Sequence, residues 1–472
     1  MTRLLLLPAL LLACSGTQPQ KKKLPYVAVA LDPPIAAEPD ALVGPLAEKG
    51  ASVLIRDGVL LTASDAKPRI DRGWVRLRGG LIHSMGEGDA PSAEPGERVI
   101  EAKGRFVTPG LVDTHSHLGV YATPSVWAHR DGNEATSPVT AGIRAEEGFW
   151  PQDPGLQRAV RGGVTTIQVL PGSANLMGGR GVVLKLHPRR ETRAMRFPGA
   201  KDGLKMACGE NPKRVYGKHK KSKPASRMQS LAMVRQTWIK ARRYRNKWAK
   251  YRKNPKKLKD GKEIPADPPD RNLTMETLAK VLDGEINVHI HCYRADEMLL
   301  QLKVADEFGF KVRSFHHAVE AYKIRDVLAK KGVSVSTWAD WWGFKIEAYD
   351  AVRENLALLT EQGARGILHT DSAEGIQRMN QEAAKAFYTG VNSGVKVTEH
   401  QALQWITLNP AWALGVDDRT GSLEKDKMAD VVIWDKHPFS VYARAEQVFV
   451  DGILRHDAGA PQPPWSDFEV GQ

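Results

Sequence analysis

Residues 112–119 read VDTHSHLG, one residue after RFVTPG at 105–110. Side chains alternate along a strand, so His115 and His117 point the same way. Two histidines at the end of a short apolar run are either ordinary polar side chains or a pair of metal ligands. The rest of the chain has to decide between them.

Seven more short apolar runs share this texture: GVTTIQVL, GVVLKL, GLKMAC, INVHIHC, FKVRSFHH, GVSVST and GILHTDS. Most precede a helix-like stretch such as ADEMLLQLKVADEFGF. Repeated strand–helix units imply a parallel sheet, and eight of them predict a closed α/β (β/α)8 TIM barrel over 107–416. An open doubly wound sheet is the alternative, but no Gly-rich phosphate loop follows any of these strands. Short β-type segments fill 49–106 and return at 417–458, which predicts a small β-sandwich built from both chain ends.

Active sites of such barrels lie at the C-terminal ends of the strands. Those ends offer His115 and His117, Lys205 and Glu210, His289 and His291, His316 and His317, and His369 with Asp371. A single His-x-His is weak. Imidazoles and carboxylates at five strand ends are the donor set that a catalytic divalent metal takes. Three cysteines, Cys14, Cys208 and Cys292, make no disulfide framework and no zinc-finger spacing.

The run VTPGLVDTHSHLG resembles the opening signature of the amidohydrolase superfamily, metal hydrolases on a (β/α)8 barrel. The resemblance continues through GVTTIQVLPGSANLMGG, HCYRADE, FHHAVEAYKI, LHTDSAEG and LNPAWALGVDDRTGSLEKDKMADVVIWD, roughly residues 50–457. The imidazolonepropionase-like subgroup is the nearest in pattern. The resemblance implies metal ligands His115, His117, His291, His317 and Asp371. It favours His291 over His289 and His317 over His316. On the fourth strand Glu210 is preferred to a carboxylated Lys205, because Lys205 sits early in its run. His289, His316 and His369 are then supporting or substrate-side residues.

The implied cofactor is a divalent metal, two zinc ions, with iron or manganese as alternatives. It would activate a water against a C–N bond in an amide, cyclic amide or peptide-like small molecule, with Asp371 as general base and then acid. A dipeptidase-type metallopeptidase is the runner-up. A non-catalytic ligand-binding lipoprotein on the same scaffold is the third reading.

The 42% hydrophobic content allows a large core in 472 residues. The formal charge of +14 is local. Residues 213–259 carry 19 Lys or Arg and no acid, and the other 49 basic and 54 acidic residues leave −5. This predicts a basic helical insertion at 213–262, with RMQSLAMVRQTWIKARRYRNKWAKYRK as an amphipathic helix packed on the barrel. Anionic lipid is the alternative contact, and no nucleic acid partner is expected.

Residues 1–14 have Arg3, then an apolar stretch to Ala13, and read as a lipoprotein-type signal with Cys14 as the lipidated residue. Residues 15–48 read as a tether. The protein is therefore expected in a bacterial envelope or periplasm, anchored to a membrane by lipid. A homo-oligomer is compatible with this reading. Trp338, Trp341 and Trp342 either wall the substrate or pack on the rim, and Arg294 either binds a substrate carboxylate or pairs with Asp296 or Glu297.

Overall fold

A computed structural model describes residues 52–260, 262–461 and 464–465. The signal segment 1–14 with Cys14 and the tether 15–48 lie outside the described residues. Five strands come first: β1 (Val53–Leu61), β2 (Arg69–Arg78), β3 (Leu81–Glu87), β4 (Arg98–Glu101) and β5 (Phe106–Pro109). β2 and β3 are joined by Gly79 and Gly80, with φ of 60° and 82°. A two-residue hairpin turn needs positive φ at both positions, which two glycines adopt without strain.

Eight strands then form the barrel: β6 (Leu111–Ser116), β7 (Val164–Val169), β8 (Met177–Lys185), β9 (Gly203–Ala207) and, after a two-stranded hairpin of β10 (Lys256–Lys259) and β11 (Lys262–Pro265), β12 (Asn287–Cys292), β13 (Val312–His317), β14 (Ser334–Thr337) and β15 (Gly366–Leu368). They correspond to the eight runs read from the sequence. Their side chains are buried on both faces, as expected for barrel strands covered by helices. The sheet runs β15-β14-β13-β12-β9-β8-β7-β6. Its two edge strands meet where the Asp371 N–H donates to the His115 carbonyl at 3.2 Å.

One strand departs from the expected all-parallel order. β8 pairs antiparallel with both β7 and β9. Only residues 170–176 join β7 to β8, and a parallel crossover needs a dozen or more. The reversal carries Lys185, the last residue of β8, to the end of the barrel where β7 begins, opposite Thr166.

The chain closes with β16 (Val431–Trp434), β17 (Ala445–Val450) and β18 (Ile453–Asp457). β16 pairs antiparallel with β5, so strands from both chain ends form one sheet, β18-β17-β16-β5-β1-β2-β3, with β4 on β1. Val53, Ile55, Leu77, Val107, Val431 and Phe449 share its buried core. The Trp434 indole donates to Thr108 Oγ1 at 2.9 Å across this seam. The sheet is tied to the barrel by Lys185, whose Nζ lies 2.5 Å from both Asp430 carboxylate oxygens and 2.8 Å from Asp451.

The basic stretch forms one helix, Arg227–Lys253, with Ser226 capping the Gln229 N–H. Val234, Trp238, Ala241 and Trp248 are buried, and the Trp238 ring lies 4.5 Å from Phe310. Among the described residues no helix is long and apolar enough to cross a membrane. Cys208 and Cys292, 84 residues apart, form a disulfide with Cα atoms 5.2 Å apart. No such pairing was expected from three cysteines. Neighbouring strands β9 and β12 bring these two together at their C-terminal ends, Cys208 just after β9 and Cys292 as the last residue of β12.

Candidate active site

The strand ends converge as the alternation demands. His115 and His117 leave β6, His291 leaves β12, His317 ends β13, and His369 and Asp371 follow β15. His317 and Asp371 have φ of 69° and 51°. Non-glycine residues seldom adopt this left-handed region, and such strain gathers where function requires a side chain to be aimed.

His117 Nε2 lies 3.3 Å from Asp371 Oδ1, and His115 Nε2 3.8 Å from the same oxygen. His317 Nδ1 lies 3.9 Å from Asp371 Oδ2. Two groups have ligand atoms that all lie within 4.8 Å of one another: His115, His117 and Asp371, and His115, His317 and His369. The His291 ring is 4.6 Å from that of His317. His115 Nε2, His317 Nδ1 and both ring nitrogens of His291 and His369 are buried with no hydrogen-bond partner among the described residues. Buried polar atoms are normally satisfied. Orphaned imidazole nitrogens aimed at one another beside a carboxylate are what a divalent cation satisfies, so the donor set fits a metal.

A second layer holds these rings. His117 Nδ1 is 2.8 Å from the Leu170 carbonyl, which can only accept, so Nδ1 carries the proton and Nε2 is left toward Asp371. His316 bridges His115 and His289 through contacts of 2.9 Å each. His289 continues to Gln168 at 3.3 Å. Asp113 accepts from the His115 N–H at 2.9 Å and from the Thr370 hydroxyl.

Burial dominates the electrostatics. It pushes His115, His291, His316 and His317 well below the usual 6.5, and His289 and His369 down to about 3. All six are therefore neutral, the form that ligates. Burial pushes the Asp113 carboxyl up to about 7. It would also raise Asp371, but its contact with His117 and the nearby Lys205 hold that carboxyl below its usual range. Lys205 is 1% exposed, donates to the Pro171 carbonyl at 2.8 Å, and is pushed down by burial to about 7.

The structure brings His115, His117, His317 and Asp371 together, with His291 beside them. It adds His369, whose spacing from Asp371 gave the available signal. Glu210 belongs to neither converging group; its carboxylate lies 3.7 Å from Lys345 and its N–H donates to Glu347. Lys205 lies among the histidines, opposite His289 in register, and its charge reaches His115, His291, His317 and His369. Trp338 stacks on His317 at 4.5 Å and Trp341 on Trp338 at 5.1 Å. Tyr293, not singled out by its sequence, stacks on the same histidine at 5.5 Å. Arg294 is closed in a two-bond pair with Asp296, both contacts 2.9 Å.

Residues 106–456 match the family model described as the amidohydrolase family. Amidohydrolase tasK of Hapsidospora irregularis is 32% identical over 438 residues, 86% of this chain and 43% of that protein. An imidazolonepropionase of Treponema denticola is 44% identical over 48 residues, 10% of this chain and 12% of that protein. The chain thus spans less than half the length of these curated relatives. The crystal structure of an amidohydrolase from Thermotoga maritima MSB8 matches with a TM-score of 0.76 at 35% identity, covering 85% of this chain and 99% of that one. On the extent of these matches and the barrel they share, the chain belongs to the amidohydrolase family.

Proposed function

We propose that the protein hydrolyses a C–N bond of a small amide, cyclic amide or peptide-like molecule at this histidine cluster. The observation that carries the reading is the set of buried, partnerless imidazole nitrogens converging on Asp371. His115, His117, His291, His317, His369 and Asp371 would hold the metal, with Lys205 beside them; Glu210, turned to Lys345, is left out of the set. A divalent metal there supplies polarisation of the scissile carbonyl and a water acidic enough to attack near neutral pH.

The chain's own residues do the rest. Asp371, ionised beside His117, takes one proton from the attacking water. A C–O bond forms, the C–N bond breaks, and Asp371 returns that proton to the leaving nitrogen. His316 fixes the His115 ring from behind, and Asp113 holds the His115 backbone N–H. Tyr293 and Trp338 stack on His317 and keep bulk water from that side. The buried Cys208–Cys292 disulfide supports an oxidising compartment, and with it the export expected from residues 1–14.

The test is elemental analysis of the purified protein, alone and with Lys205→Ala or Glu210→Ala, followed by a screen of amides, lactams and dipeptides. The reading expects bound zinc, iron or manganese, loss of metal with Lys205→Ala, and retention with Glu210→Ala. Protein that takes up no metal when supplied with each of these ions, and cleaves none of these compounds, would rule it out.

A further inference from the structure

A cleft of about 390 Å³ opens above the histidines, lined in part by His117, Arg214, Tyr293, Phe344, Lys345 and Asp371. Two of its cations are unused by the chemistry above. The Lys345 side chain is only 13% exposed, and its amine sits 3.9 Å from the centre of the Tyr293 ring. That ring is 4.8 Å from His291 and 5.5 Å from His317. Lys345 donates to Asn211 Oδ1 at 3.1 Å and makes a long ion pair with Glu210 at 3.7 Å. An ammonium has three donors, so with Asn211 and Glu210 met, one remains for something in the cleft.

Arg214 is exposed at the same mouth, and its guanidinium makes no hydrogen bond or ion pair among the described residues. It stands at the start of the acid-free basic segment, whose Lys218, Lys221 and Lys223 are also exposed. Such a concentration of one charge at a cleft draws anions toward it. A half-buried ammonium over an aromatic ring, with a donor to spare, gains most from an anion.

We propose that Lys345 and Arg214 form a carboxylate-binding subsite, and that the substrate carries a carboxylate close to its scissile amide, as an N-acyl amino acid or a dipeptide does. Lys345 stands one aromatic ring away from the histidines. This suits a carboxylate on the carbon next to the leaving nitrogen. The proposal rests on the hydrolase reading for its reaction, but not for its binding.

Two measurements on the metal-loaded protein test it, in wild type, Lys345→Gln and Arg214→Gln. The first is the ratio of kcat/KM for dipeptides with a free C-terminus to those with an amidated one. The second is calorimetric binding of phenylacetate against 2-phenylethanol, neither of which can be hydrolysed. The expected result is a wild-type ratio of about ten or more, falling toward one in each variant through KM, with phenylacetate affinity falling about tenfold. Variants that keep both the wild-type ratio and the wild-type phenylacetate affinity would overturn the subsite. If wild type cleaves no dipeptide or N-acyl amino acid yet phenylacetate binding depends on both cations, the subsite stands and the reaction reading falls.

Discussion

Asp371 reaches His115 twice: its N–H donates to the His115 carbonyl at 3.2 Å, and its carboxylate lies 3.8 Å from His115 Nε2. One residue thus ties the last barrel strand to the first and presents an ionised oxygen to the cluster. Asp371→Asn keeps the backbone tie and removes the charge. Turnover should fall by about a hundred- to ten-thousandfold, the usual contribution of a positioned acid–base group. The thermal midpoint of the chelator-treated protein should stay close to wild type. Steady-state rates alongside thermal denaturation check both halves, and an equally large stability loss would show that Asp371 is mainly a structural tie.

The chelator-treated protein should be acid-sensitive. His115, His289, His291, His316, His317 and His369 are all held neutral, with pKa values below 6.5. Below that pH the unfolded chain binds protons that the fold refuses. The histidine contribution to stability is therefore full above about 6.5 and falls as pH drops from there toward 3. Proton uptake on unfolding, measured from the pH dependence of the unfolding free energy, should approach about five near pH 4.5, six histidines less the proton that buried Asp113 already holds in the fold. A flat profile between pH 6.5 and 4 would contradict the burial of these rings.

Lys185 is an ion-pair hub with almost no water around it: its side chain is 3% exposed and that of Asp430 1%. The attraction of Asp430 and Asp451 raises its pKa against the opposing effect of burial. Lys185→Met leaves both carboxylates facing an apolar group and should cost about 3–5 kcal/mol in urea unfolding. Lys185→Met with Asp430→Asn should cost less than Lys185→Met alone, because the stranded charge is gone.

Replacing both Cys208 and Cys292 by Ala removes a cross-link between residues 84 apart. The expected loss is about 2–5 kcal/mol, read from denaturant unfolding. An unchanged midpoint would mean that the two thiols are not joined in solution.

Much of this molecule was legible because its signals are local. Eight apolar runs bounded by turns marked the barrel strands, and the two-residue spacing in His115–His117, His289–His291 and His369–Asp371 marked inward faces. Strand direction is not a local signal. GVVLKL looks like its neighbours, and only the short 170–176 connection betrays that it runs backwards. The Cys208–Cys292 pairing depends on two strands becoming neighbours, which no spacing along the chain encodes. The contrast between Lys205 and Glu210 turned on depth in the barrel. An early position in a strand counted against Lys205, yet its long side chain spans that depth and sits among the histidines. Arg294 illustrates the opposite case, where the ordinary alternative of a local ion pair with Asp296 prevailed.

The pairing of β5 with β16 has a bearing on how the chain is made. Thr108 meets Trp434 across 326 positions of sequence. During synthesis the first half of that sheet must wait, with the hydrogen-bonding edge of β5 bare, until nearly the whole barrel has emerged. A bare edge is a template for pairing with other chains. A product ending before Val431 would carry a completed set of barrel strands and an unsealed first sheet. Its fate would be self-association, whatever the state of its histidines.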